Sequence, residues 1–414
     1  MVILPANVGG DVRLRRGSGE NQGDMLRKLW RLSPWDGQGW GVCSDTSLAP
    51  LRRAAAAGFR GKVAPPLRLF LACADRSVWA AAAAVGASAF ARANGLNAVT
   101  ATLLFGDCLL SGATPVEAWV WRGVFGGRHP LPARAAGLLL SRLGDAAGHR
   151  LLADKAAAAE RLARAGVAVP VLRAKVCRGD APDEASMLTS GAVAGLFVKP
   201  RRGCGGRGAF SLVKEDDGWR VNGGPPTGWP RLRSRLLRLA ATDDLLVQDR
   251  LTARLDLADL ADAGRAPVLR LTSARAPGQP PFLHSALLNI PVPGRDSRHF
   301  LHGEIHAPIN LTDGRIACGV SFARSQERLT ALPWNGARLA GREISGFFDA
   351  AAMALIAAAV IPPLPLVSWD FIMTDDGPVL LEGNSVGNWI LTNLAGRYDL
   401  DAGSPGALLA AWAA

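Results

Sequence analysis

The chain has 414 residues, 49% of them apolar, and a formal net charge of +12. That length and composition predict two or three domains with an ample core and exclude a disordered chain. The charge does not point to a nucleic-acid face: Lys28, Lys62, Lys155, Lys175, Lys199 and Lys214 are the only lysines, and the arginines are scattered rather than clustered. Smaller or softer acidic partners stay open, namely a nucleotide, an acidic sugar polymer or membrane headgroups. The cysteines (Cys43, Cys73, Cys108, Cys177, Cys204 and Cys318) form no CxxC pair and no zinc spacing with histidine, so they read as reduced thiols. Residues 1–24 lack the apolar run of a signal peptide. The most apolar run, Ser77–Ala91, is too short to span a bilayer. The expectation is a soluble cytoplasmic protein with no transmembrane segment and no specific nucleic-acid partner.

In chain order, residues 1–25 read as disordered and 26–150 as a mainly helical, Ala-rich region. Within it, Thr114–Phe125 has the spacing of an amphipathic helix, started by Thr114-Pro115. Trp30, Trp35 and Trp40 read as packing anchors. The composition shifts at Leu151. Asp154 can cap a helix over Lys155–Ala165 that stops at Gly166. Strands are predicted at Val167–Leu172, Leu196–Pro200, Ala209–Lys214 and Leu245–Gln248, with helices at Ser186–Ala194 and Arg231–Ala240. Asp216–Pro230 reads as turn-rich and exposed. Further strands follow at Pro267–Ala274, Phe282–Ile290, Ile305–Leu311 and Ile316–Phe322, then an apolar helix, Glu343–Val360, closed by Pro362-Pro363. Strands arranged in hairpins among helices predict an α+β fold for the second half rather than a doubly wound sheet.

Near the end, Val367–Thr374 and a strand opening at Pro378 flank Asp375-Asp376-Gly377, a hairpin signal. A three-residue loop with Gly377 left-handed puts Asp370 opposite Glu382, and Asn384 lies on the same strand face as Glu382. Like charges facing across strands repel, and a cation relieves them. Oxygen ligands of this kind suit Mg²⁺ or Mn²⁺ with phosphate oxygens completing the shell. A solvated hairpin end with unrelated carboxylates is the alternative.

A second signal is the Gly-rich loop Arg201–Gly208, RRGCGGRG, between the strands FVKP and AFSLV. No helix follows it, so it is neither a Walker loop nor a dinucleotide-binding turn. It reads as a hairpin tip whose unhindered amides can close over phosphate, with Arg201, Arg202 and Arg207 adding charge and Lys199 placed just before it.

With these two signals in hand, the chain resembles the ATP-grasp superfamily over Leu151–Asn388. The resemblance rests on four stretches in the family's order: ADKAAAAERLARAGVAVP, LFVKPRRGCGGRG, LLVQDRL and WDFIMTDDGPVLLEGN. VLRLTSA and HFLHGEIHAPINLTDGRI are similar to its sugar-transfer-associated, α-L-glutamate-ligase-related branch, although His302-Gly303 stands where two glycines are usual. The resemblance implies an ATP-grasp fold with a small subdomain over 151–245 carrying the flap and a large one over 246–414 carrying the metal site. It implies that Lys155 and Lys199 contact the phosphates of ATP, and that Arg202, Gly203, Gly205, Gly206, Arg207 and Gly208 belong to the flap. Gln248, Asp249 and Leu251 would hold adenine, with Asp256 a candidate for ribose. Arg270 would face the transferring phosphate, and Asp370, Glu382 and Asn384 would bind Mg²⁺ or Mn²⁺.

The activity implied is that of a ligase. ATP converts a carboxylate into an acylphosphate, an amine acceptor attacks it, and the branch points to polysaccharide or glycoconjugate modification. A kinase-like transfer to another acceptor, and a nucleotide- or nucleic-acid-binding protein without turnover, are the rivals. His299, His302 and His306 read as surface or supporting residues rather than a metal pair. Asn388, Trp389 and Arg324 are candidates for substrate contact or for packing.

Overall fold

The computed structural model describes residues 65–414 except 125–131, 180–183, 185–194, 204–205, 263–264, 296–301, 323–327, 399–407, 410 and 413–414. The expectations for residues 1–25, Trp30, Trp35, Trp40, the helix at 186–194, Gly205, His299 and Arg324 lie outside the described residues.

The described chain up to Arg164 is helical, as its composition predicts. Helices α1 (Pro65–Ala93), α2 (Ala98–Ser111), α3 (Pro115–Val124), α4 (Ala133–Leu140), α5 (Ala146–Ala153) and α6 (Lys155–Arg164) follow one another. Helix α3 opens on a reciprocal cap: Glu117 N donates to Thr114 Oγ1 at 3.3 Å, and Thr114 N donates to Glu117 Oε2 at 2.8 Å. Asp154 caps α6 by accepting from Ala157 N at 3.3 Å. No single helix among the described residues is long and apolar enough to cross a membrane.

Two antiparallel sheets make up the rest. Strands β1 (Leu172–Val176), β2 (Leu196–Pro200), β3 (Phe210–Glu215), β4 (Gly218–Val221), β5 (Pro226–Thr227) and β6 (Leu245–Asp249) form the first, in the order β1-β6-β2-β3-β4-β5. Helix α7 (Trp229–Ala240) covers it, burying Leu232, Leu236 and Ala240 at helical spacing. Strand β6 crosses the boundary expected at 245/246 and pairs wholly within this first sheet. The turn-rich reading of 216–230 also needs correction. Two short strands lie there, anchored by Trp219, which is 1% exposed and donates Nε1 to Glu184 Oε1 at 2.8 Å.

The second sheet contains β7 (Val268–Ala274), β8 (Phe282–Pro291), β9 (Glu304–Ile309), β10 (Gly319–Val320), β11 (Arg328–Leu329), β12 (Leu366–Thr374) and β13 (Gly377–Asn384). Its order is β11-β10-β9-β8-β7-β12-β13. One face packs on helix α8 (Phe347–Val360), whose buried residues Phe347, Ala350, Ala351, Ala354, Ala357 and Ala358 form a smooth stripe. Alanine allows the helix to lie close against the Leu269, Leu271, Leu288 and Ile290 side of the sheet. The opposite face meets the N-terminal helices and α9 (Trp389–Tyr398), around Leu287, Val320 and Phe322. Trp119 Nε1 donates to Phe322 O at 3.3 Å, tying α3 to the sheet.

Candidate active site

The β12–β13 hairpin brings the expected acidic set together by a different route. The pairing runs Thr374↔Gly377 to Phe371↔Leu380, which leaves a two-residue loop, Asp375-Asp376, instead of three. A bulge then skips Leu381, so Asp370 faces Glu382 after all and Ser368 faces Asn384. Gly377 has φ 115°, the positive value the turn requires. Between the two polar residues of β13, Gly383 lies under the fully buried Trp369, whose ring a Cβ would approach to 2.4 Å. A glycine there keeps the strand flat against the tryptophan and turns Glu382 and Asn384 to the other face.

Arg270 stands opposite Asp370 on β7 and grips it with both branches of its guanidinium: Nε to Oδ1 at 2.7 Å and Nη2 to Oδ2 at 2.9 Å. Burial works against the charge of Arg270, but Asp370 outweighs it and holds the guanidinium above its ordinary pKa. Burial also pushes the Asp370 carboxyl up, against the pull of Arg270. Asn384 Nδ2 donates to Asp370 Oδ2 at 3.2 Å and Glu382 Oε1 at 3.5 Å. Thus the two carboxylates are held by N–H donors on one face. Among the described residues, no group of three or more His, Cys, Asp or Glu side chains is arranged for a metal ion. This set has two carboxylates and one amide, hard oxygen donors that fit Mg²⁺ when phosphate and water supply the other ligands.

Two lysines reach the same place from the other half of the fold. Lys199, 8% exposed on β2, donates Nζ to Leu381 O at 3.2 Å, the carbonyl of the bulged residue. Burial lowers its pKa, and Glu382 opposes that shift. Lys155, the first residue of α6, lies 3.7 Å from Glu382 Oε2 and donates to Gly203 O at 2.5 Å. The flap is therefore tied to the carboxylate strand through one lysine. Gly203, Gly206 and Gly208 all have positive φ, and Arg207 is exposed. Arg202 is held at the loop base: its amide donates to Asp243 Oδ2 at 2.6 Å, and its guanidinium lies 3.5 Å from Asp154. Arg201 is not available for phosphate, because it forks onto Asp154 at 2.8 and 2.7 Å and reaches Asp244 at 3.1 Å.

The expected adenine hinge is only partly open. Gln248 is buried on β6. Asp249 is clamped by Arg173, Nε to Oδ1 at 2.7 Å and Nη2 to Oδ2 at 2.8 Å, a fork the sequence reading missed. The amides of Asp249 and Arg250 donate to Val171 O and Gly195 O. Of the three hinge amides, only that of Leu251 has no backbone partner among the described residues. Asp256 is engaged elsewhere, accepting from Ser345 Oγ at 2.6 Å and pairing with Arg254 at 3.1 Å. These contacts already occupy the carboxylate expected to meet ribose.

Around this centre, His306 Nδ1 bonds Asn289 Oδ1 and His302 Nε2 bonds Asn94 Oδ1, each at 2.8 Å. Both bond to neighbouring amides, as supporting residues do. Asn388 caps α9, its Oδ1 accepting from Ile390 N at 3.1 Å. Glu304 is the acidic residue that sequence reasoning overlooked. Burial lifts its carboxyl to about 7, with Arg270 opposing and Asp370 adding to the shift. The signal was available in HGEIHAPI, where Ile305 and Ala307 enter the core and Glu304 and His306 alternate with them.

A family model described as sugar-transfer associated ATP-grasp matches residues 139–400. The chain belongs to this ATP-grasp family. A search of curated proteins returns no significant match. Among solved structures, the ATP-grasp chain is similar to D-alanine–D-alanine ligase from Bacillus anthracis complexed with ATP, with 10% identity, TM-score 0.35, 59% of this chain and 58% of that chain covered. It is similar also to VanG D-Ala:D-Ser ligase from Enterococcus faecalis, with 12% identity, TM-score 0.39 and coverage of 65% and 63%. A third is a biotin carboxylase complex from Campylobacter jejuni, with 13% identity, TM-score 0.37 and coverage of 61% and 47%. The chain thus spans about half to two thirds of the length of these proteins. Family membership rests on the family match.

Proposed function

We propose that this protein is an ATP-dependent carboxylate–amine ligase. The observation that carries the reading is the meeting of Lys155, Lys199 and Arg270 with Asp370, Glu382 and Asn384, drawn from both sheets and helix α6. Phosphoryl transfer needs positioning and charge neutralisation more than covalent help from the protein. The cations supply the neutralisation. Lys199 and Lys155 bind phosphate oxygens, and the flap around Gly203, Gly206 and Gly208 closes over them. Arg270 passes from Asp370 to the transferring phosphate. Asp370, Glu382 and Asn384 hold Mg²⁺, which when bound neutralises phosphate charge. The adenine lies along the hinge, with the Leu251 amide as donor.

The substrate carboxylate attacks the terminal phosphorus of ATP to give an acylphosphate and ADP. An amine then displaces phosphate to give an amide. The family's association with sugar transfer supports a saccharide or glycoconjugate as carrier of one partner, and the ATP requirement supports action in the cytoplasm. The test is release of ADP and phosphate from ATP and Mg²⁺ in the presence of pooled amino acids, uronic acids and amines. Stoichiometric ADP and phosphate that require both a carboxylate and an amine are expected. ADP without phosphate release contradicts a ligase and indicates a kinase.

A further inference from the structure

The phosphate and metal assignments leave part of the site-bearing sheet face unused. Antiparallel pairing of Arg270 with Leu287, Asn289 with His306 and Pro291 with Glu304 places Arg270, Asn289, His306 and Glu304 on one face. Their sequence neighbours Leu269, Leu288, Ile290 and Ile305 point into the core beneath α8. The polar run therefore leads from the Arg270–Asp370 fork across two strands to Glu304, on the side of the sheet that meets the N-terminal helices.

The groups around Glu304 are already committed. His306 bonds Asn289 and lies against Phe322 with ring centroids 5.1 Å apart. His302 bonds Asn94, just after α1. Arg270 is taken up by Asp370. Arg265, the other cation acting on Glu304, pairs with Asp262 and donates to Val292 O at 2.8 Å and Arg295 O at 2.7 Å. Among the described residues no hydrogen bond reaches the Glu304 carboxyl. Burial disfavours the charged form of this carboxyl, and Arg270 and Arg265 offset that only in part, so an arriving cation would favour it.

We infer that Glu304 receives the ammonium group of the acceptor amine and delivers that nitrogen beside Arg270, where the acylphosphate is held. This inference rests on the ligase reading. The chemistry balances in two steps. Glu304 takes one proton from R–NH₃⁺, leaving the free amine and a neutral carboxyl. The nitrogen lone pair then attacks the acyl carbon, a C–N bond forms, and the C–O bond to phosphate breaks. Phosphate leaves with that electron pair and takes up the second proton lost from nitrogen. The elevated pKa of Glu304, about 7, suits a group that must hold this proton at neutral pH.

The test uses the full chain in two arms. In the first, a water-soluble carbodiimide couples methoxyamine, uncharged at neutral pH, to carboxyl groups with and without ethylenediamine, and peptide mass mapping counts every product at each carboxyl. A bound ammonium shields a carboxyl from activation, so saturating ethylenediamine is expected to slow modification of Glu304 at least about tenfold and to leave the exposed Glu160 unchanged, the effect of one charge-assisted hydrogen bond. Equal modification of Glu304 with and without ethylenediamine overturns the inference. In the second arm, wild type, Glu304→Gln and Glu304→Asp receive ATP, Mg²⁺ and pooled carboxylates with either hydroxylamine, which is uncharged at neutral pH, or primary amines. The ratio of amine-dependent to hydroxylamine-dependent ADP release is expected to fall at least about tenfold in Glu304→Gln and to recover in part in Glu304→Asp. An unchanged ratio overturns the inference. Absence of hydroxamate in the wild type instead refutes the ligase reading, and the coupling arm still decides whether Glu304 binds an ammonium.

Discussion

Replacing Arg270 with Met should unfold the larger sheet far more readily, and the cost follows from burial. Asp370 is 6% exposed, and both its oxygens are satisfied by the guanidinium at 2.7 and 2.9 Å. Without Arg270 the carboxylate keeps only the amide of Asn384 at 3.2 Å. Breaking a buried pair on one side costs about 3–5 kcal/mol, because an uncompensated charge stays behind. At about 1.4 kcal/mol per tenfold, the folding equilibrium falls by roughly a hundredfold or more. Removing both charges, as Arg270→Met with Asp370→Leu, leaves no stranded charge and should restore most of that loss. Urea denaturation followed by tryptophan fluorescence measures both, since Trp369 is fully buried next to Asp370. A loss below about 1 kcal/mol in Arg270→Met, the value of an exposed pair, refutes the reasoning. So does a double variant as unstable as the sum of its parts.

Other outcomes follow from the same geometry. Glu382→Gln removes a carboxylate from the proposed cation set and should abolish Mg²⁺-dependent ATP turnover without unfolding the chain; unchanged turnover at saturating Mg²⁺ removes that role. Lys199→Ala should raise the Kd for ATP by about 10- to 100-fold, the worth of one hydrogen bond to a charged group, and calorimetry that matches wild type sinks its phosphate contact. Gly383→Ala forces a Cβ to within 2.4 Å of Trp369 and should cost about 1–3 kcal/mol in urea denaturation. The Arg201 fork holds the Asp154 carboxyl below its ordinary pKa. A depressed carboxyl contributes stability fully above its unfolded value of about 4, and that stability is lost as pH falls through the folded value. Asp154→Asn should therefore destabilise the protein at neutral pH and flatten its stability loss on acidification, which thermal unfolding across an acid series reads directly.

The local rules of sequence carried most of the architecture. Strand β2 begins and ends where alternation and Pro200 place it, and α6 starts at its Asp154 cap. The facing of Asp370 and Glu382 was also legible, although the loop length and the bulge at Leu381 compensate for each other in a way that turn residues alone do not reveal. What escaped were pairings across long separations. The Arg173–Asp249 fork joins residues 76 apart, and Arg270–Asp370 joins residues 100 apart. Each turns a candidate ligand into a bonded group. A sequence names the side chains, but only sheet order decides which cation neutralises which carboxylate. Asp256 shows the same limit, since its partner Ser345 lies 89 residues away. Glu304 was overlooked for a local reason: its strand was read as starting one residue later, at Ile305.

The central claim is that the two lysines, Arg270 and the Asp370–Glu382–Asn384 set form one site for activating a carboxylate with ATP. The most direct measurement is hydroxamate formation by the full chain with ATP, Mg²⁺, hydroxylamine and pooled carboxylates, alongside Glu382→Gln. The account predicts hydroxamate and ADP in equal amounts, dependent on Mg²⁺ and on a particular carboxylate, and lost in the variant. ADP formed without hydroxamate in every pool, or equal yields from wild type and variant, contradicts it.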